Sequence, residues 1–197
     1  MLLGPAFTVP AVEKAPLKSF RVLHFAAHAL LPSELKCQSE PAIVTSAPAG
    51  APDATQALLT ASDVAELNLD ADLVILSACN SGGAGGTTAG ESLSGLARAF
   101  FFAGARALMV THWSVNDQVA AYLVVSVLQR MHADPSLGAA GALRATQLSM
   151  LQEAGKGLPA QIAAPFFWAG FAVIGDGGGS AVASVAQSTS PGGQTGL

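Results

Sequence analysis

Apolar residues in this chain fall in short unbroken runs separated by amphipathic stretches, a spacing that predicts strands alternating with helices. Residues 20–27 (FRVLHFAA) read as a mostly apolar strand, of the kind buried on both faces of a parallel sheet. Residues 42–45 suit a short strand, followed by a Pro/Ala/Gly loop to about residue 57. Thr60, Ser62 and Asp63 offer N-caps for a short helix through Leu67. Residues 72–78 (DLVILSA) give the clearest strand, which stops at a glycine-rich run over 82–90. A helix is predicted over 91–103, with Leu93, Leu96, Ala97 and Phe100 on one face and Gly104 as its C-cap. Residues 107–111 form a third buried strand. Asn116 opens a long helix to about Met131, a further helix covers 137–153, and 167–174 (FWAGFAVI) reads as the final strand.

This alternation predicts a three-layer α/β fold, with a largely parallel sheet flanked by helices. Residues 1–19 hold three prolines and no clear period, and the tail from Gly175 has little to bury and reads as disordered. No internal repeat is visible. The length of 197 residues suits one α/β domain. Apolar residues make up 51% of the chain and charged residues 11%, the reverse of a disordered composition.

Charge and cysteine content narrow the class. The net charge is −4, with nine unclustered Lys and Arg, so nothing marks a nucleic-acid or anionic-membrane surface. The most apolar region, residues 97–110, is cut by Arg98 and Arg106 and falls short of a membrane span. The N-terminus has no signal-peptide pattern. Two cysteines, Cys37 and Cys79, are too few for a disulfide framework, so a cytoplasmic setting with free thiols fits best.

In open α/β sheets, ligands bind beyond the carboxyl ends of the strands. That rule selects His28, at the end of the first strand, and Cys79, at the end of the 72–78 strand. An imidazole near a thiol can take its proton and stabilise the thiolate that attacks. Backbone N–H groups near Cys79 and after His28 can form an oxyanion hole. Cys79 follows His28 by about 50 residues, an order and distance also found in caspases. Other readings stand beside this one. Cys79 can be a small core residue, and His24 and His28 satisfied core histidines. His24, His28, Cys79 and His112 can in principle hold a metal, although no C-x-x-C or H-x-x-x-H helix supports one. The glycine run links a strand to a helix, as phosphate cradles do, but lacks G-x-G-x-x-G and P-loop spacing.

The local strings add more. VLHFAAHALL (residues 22–31) and DLVILSACNSGG (72–83) resemble the two signature segments of the CHAT family. These are caspase-like domains related to separase, often found beside tetratricopeptide repeats in bacteria. The resemblance continues through residues 90–117 and 165–177, and so covers about 20–177 in order. It implies a cysteine endopeptidase that works through an acyl-enzyme on a protein or peptide substrate, with no cofactor and no metal. It assigns His28 and Cys79 as a catalytic dyad without a third member and makes His24 a structural strand residue. The N–H groups of Ala29 and Cys79 would hold the oxyanion, Ala29 standing where the family has Gly. In separase-like relatives an acidic residue shortly after a W-x-V segment is linked to basic substrates. Asp117 is the nearest match here, with a helix-capping role as the other reading; Glu91 has the same ambiguity.

The family domain is expected to carry a further strand and helix before the histidine strand. Residues 1–19 are therefore read as an incomplete N-terminal part, 20–177 as the peptidase domain and 178–197 as a disordered tail. A tetratricopeptide-repeat protein or a separate N-terminal segment is the expected partner besides substrate, with no role for nucleic acid or membrane. The alternatives are a catalytically inactive interaction module of the same fold, or a nucleotide-binding domain that uses the glycine run.

Overall fold

Strands with aliphatic side chains on both sides belong in a sheet covered on both faces. The computed structural model puts the two most apolar runs of the chain in such a place. It describes residues 1–30, 32, 39–51, 53–77, 88–113 and 115–178, with the backbone alone for 88–94. Cys37, Cys79, the glycine run up to residue 87, the side chain of Glu91 and the tail from 179 lie outside the described residues.

In chain order the elements are α1 (Val9–Lys14), β1 (Val22–Phe25), β2 (Ala29–Leu30), β3 (Ala42–Val44), β4 (Leu58–Thr60), α2 (Ala61–Glu66), β5 (Leu73–Leu76), α3 (Thr88–Ala103), β6 (Ala107–Thr111), α4 (Asp117–Ala133), α5 (Gly138–Glu153), α6 (Pro165–Trp168) and β7 (Phe171–Gly175). The main sheet has the order β1-β5-β6-β7. β1 and β6 both run parallel to β5, and β7 runs antiparallel to β6. The reversal follows from the connection. One helix, α3, separates β5 from β6 and returns the chain for a parallel strand. Two long helices, α4 and α5, separate β6 from β7, and the second carries the chain back, so β7 descends from Phe171 opposite Thr111.

Alternation along each strand divides the core into two layers. Leu23, Phe25, Val74, Leu76, Leu108 and Val110 face α1, α2 and α3, where Val12, Val64, Leu96 and Phe100 are buried against them. Leu73, Ile75, Ala107 and Met109 face α4 and α5, packing on Leu123, Val127, Leu143 and Met150. The fold is α/β with a mostly parallel sheet flanked by helices, as expected.

The local signals behave as chemistry dictates. Thr60 and Asp63 form a reciprocal capping box at the start of α2. Asn116 caps α4, its Oδ1 accepting from the N–H groups of Gln118 at 3.0 Å and Val119 at 3.3 Å. The expected last strand differs at its start. Pro165 opens the short helix α6, and the extended chain begins only at Phe171. Residues 1–19 also do more than expected: α1 forms, and Val12, Phe7 and Leu17 pack onto the α3-side core. A small antiparallel sheet, β2-β3-β4, is a further addition. Among the described residues, no helix is long and apolar enough to cross a membrane.

Candidate active site

The carboxyl ends of β1 and β5 lie side by side, because the two strands pair in parallel from Val22↔Leu73 to Phe25↔Leu76. Beyond that register a last backbone bond joins them, from the Ser77 N–H to the Phe25 carbonyl at 3.2 Å. The chains then part. After β1 the backbone turns away into β2, and the His28 carbonyl accepts the Val44 N–H at 2.7 Å, which ties the histidine backbone to the second sheet. After β5 it runs on through Ser77 towards Cys79, which lies outside the described residues.

A cleft of about 400 Å³ opens at this point. His24, His28, Ser77 and Asp117 supply its polar lining, and small residues of α4, Ala120 and Ala121, form much of the opposite wall. His28 is exposed, three residues past the end of β1. Asp117 is the first residue of α4, where its charge favours the helix N-terminus, while the cap itself is made by Asn116. The stretch that delivers it is anchored. The Trp113 indole N–H donates to the Phe166 carbonyl at 2.9 Å, and a Cβ on Gly170 would stand 3.0 Å from the same ring. Two of the sequence-predicted residues, His28 and Asp117, thus share one cleft.

Ala29 opens β2, is buried and is in register with Ile43. His112 follows β6, and its N–H donates to the Gly170 carbonyl at 2.8 Å. Among the described residues, no group of three or more His, Cys, Asp or Glu is arranged to hold a metal ion.

His24 was expected to be a structural strand residue, and its side chain points into the cleft. Alternation sends Leu23 and Phe25 to the core and His24 to the opposite face, where Nε2 lies 2.8 Å from Ser77 Oγ. Either tautomer closes this bond: a bare Nε2 accepts the hydroxyl proton, and an Nε2–H donates to the hydroxyl oxygen. The ring keeps an exposed rim, yet the cleft wall removes enough water that burial pushes its pKa below the ordinary histidine value. Ser77 was not singled out from the sequence. The signal for it was a lone hydroxyl ending a run of four buried aliphatics.

A histidine-bearing cleft thus lies at the ends of two adjacent parallel strands, in an α/β sheet flanked by helices. The comparison with protein families is direct: residues 1–176 match the CHAT domain. The chain belongs to the CHAT domain family, a caspase-like family. It is also similar to tetratricopeptide repeat protein 28 of Mus musculus, at 32% identity over 149 residues. That match covers 74% of this chain and only 6% of the relative, so the chain spans a small part of the protein it resembles.

Proposed function

We propose that this chain is a cysteine endopeptidase domain that cleaves a protein substrate through His28 and Cys79. The observation that carries the reading is the shared cleft: His28, Asp117 and Ser77 line it together, and Ser77 stands two residues before Cys79. The Cys79 thiolate attacks the scissile carbonyl carbon, and the N–H groups of Ala29 and Cys79 receive the developing oxyanion. His28, holding the thiol proton, passes it to the leaving amine as the C–N bond breaks and a thioester remains. Water then attacks the thioester, His28 takes its proton, and the acid product leaves with the thiol restored. The Asp117 carboxylate at the cleft favours a basic substrate side chain. A free thiol nucleophile suits a reducing compartment such as the cytoplasm.

The open side of the sheet supports a second role, as an interaction module. Among the described residues β1 pairs only with β5, and Phe20 and Val22, just before and at its start, are exposed. Such an edge accepts an added strand. An N-terminal segment or a tetratricopeptide-repeat partner is the expected source.

Labelling of the full chain with a thiol-directed peptidyl electrophile tests the peptidase reading. Labelling is expected to be lost in Cys79→Ala, retained in Cys37→Ala and strongly slowed in His28→Ala. Labelling carried by Cys37, or none in purified chain and lysate alike, overturns it and leaves the interaction module.

A further inference from the structure

β1 and β5 need each other's ends held in place if groups beyond those ends are to react. Their ladder stops at Phe25 and Ser77, and from there the chain after β1 is tied to β3 through the His28 carbonyl. Among the described residues, one side-chain hydrogen bond links the two strands at this end, His24 Nε2 to Ser77 Oγ at 2.8 Å. It runs diagonally. His24 is in register with Ile75, and the ring reaches along the strand to the residue two further on.

Core packing does not explain this pair. Both side chains face the cleft, whereas Leu23, Phe25, Val74 and Leu76 supply the apolar burial of the same strands. The polar groups that line the cleft with the ring are Ser77 just past β5, His28 from the loop after β1 and Asp117 from α4; Ala120, Ala121 and Val124 bring no charge. Partial burial pushes the His24 pKa below the ordinary histidine value and so disfavours its charged form.

We infer that His24 and Ser77 are a positioning pair: their bond fixes the direction in which the chain leaves β5, two residues ahead of Cys79, relative to His28. The inference rests on the peptidase reading above. Loss of the bond frees Ser77 to shift, and displacements near 1 Å at a reacting pair cost rate by orders of magnitude.

The test is the pH–rate profile of iodoacetamide alkylation at Cys79 in the full chain, read by mass spectrometry. In the parent protein the profile is expected to have its midpoint below the free-thiol value of about 8.5. Ser77→Ala and His24→Phe are each expected to slow alkylation at pH 7 roughly tenfold and to raise the midpoint. The double variant is expected to be no slower than either single one, since the two act as a unit. Ser77→Thr and His24→Gln, which keep a hydroxyl and a hydrogen-bonding amide, are expected to retain most of the parent rate. That rescue separates positioning from a general loss of fold. A depressed parent midpoint left unchanged in both single variants overturns the pair and leaves the dyad standing, as does independent, multiplicative slowing in the double variant. A parent Cys79 that titrates as a free thiol overturns the dyad itself.

Discussion

The carbonyl oxygen of Leu69 lies 2.5 Å from the point where a Cβ on Gly104 would stand. The Leu69 N–H also donates to the Ala103 carbonyl at 2.8 Å, so the end of α3 and the chain entering β5 touch backbone to backbone. Gly104 has φ of +110°, a conformation that L side chains rarely adopt. Gly104→Ala therefore adds strain to a clash with backbone, and is expected to cost at least about 2 kcal/mol. Urea unfolding measures it, and an unchanged midpoint would contradict the close approach.

The α3-side core is expected to be equally sensitive at its centre. Phe100 is fully buried and its ring meets that of Phe25 at 5.2 Å between centroids, tilted by 53°. Phe100→Ala removes this contact and leaves a cavity between α3 and the sheet, for an expected loss of about 3–5 kcal/mol. The exposed Phe102, two residues on, serves as the control: Phe102→Ala is expected to change stability by less than about 0.5 kcal/mol.

Much of this architecture was legible in the sequence, and the reasons differ by element. Ala107–Thr111 was predicted with its observed bounds because five consecutive buried residues leave few alternatives. Thr60 with Asp63, and Asn116, marked helix starts through side chains that satisfy free backbone N–H groups. The β2 and β4 strands, of two and three residues, are too short to show a period. The 167–174 run is apolar throughout, so its pattern does not show that residues 165–168 form the short helix α6 behind Pro165 and that the strand begins only at Phe171. At the site, strand ends and signature strings pointed to His28 and Asp117. The bond between His24 and Ser77 was hidden because it depends on strand register, which the sequence does not display.

Stability is expected to fall with acid in two steps. For His24, burial disfavours the charged ring and holds its folded-state pKa below that of the unfolded chain. Its contribution is therefore complete above about pH 6.5 and declines as the pH drops below that value. Asp70 acts lower. A hydrogen bond from the Arg106 guanidinium, together with its charge, holds the Asp70 carboxyl below the ordinary carboxylate value. That contribution is present above about pH 3.9 and is lost as the pH falls through the folded-state pKa. Arg21 and Asp72 complete the same surface cluster, with Arg21 bonding Asp72 by two contacts at 2.8 Å. Unfolding midpoints against pH are expected to lose the upper step in His24→Gln and to flatten at the lower one in Asp70→Asn. Retention of the upper step in His24→Gln would assign it to another group.

Asp117 separates a helix-capping role from a substrate-binding one. The cap of α4 belongs to Asn116, whose side chain accepts from two backbone N–H groups, so Asn116→Ala is expected to cost about 1 kcal/mol. Asp117 contributes to the helix only through its charge in the first turn, and Asp117→Asn is expected to cost less than about 1 kcal/mol. Its larger effect is expected in the cleft it shares with His28. Under the proposed function, Asp117→Asn removes the charge that favours a basic side chain, and the preference for arginine or lysine electrophiles over a neutral analogue is expected to fall at least roughly tenfold. Reaction with the neutral analogue itself is expected to change little, because the substitution leaves His28 and its backbone tie to Val44 in place. Rates for the paired electrophiles, measured beside thermal melting of both variants, decide between the roles. A variant that melts early and keeps its preference would make Asp117 a helix residue and nothing more.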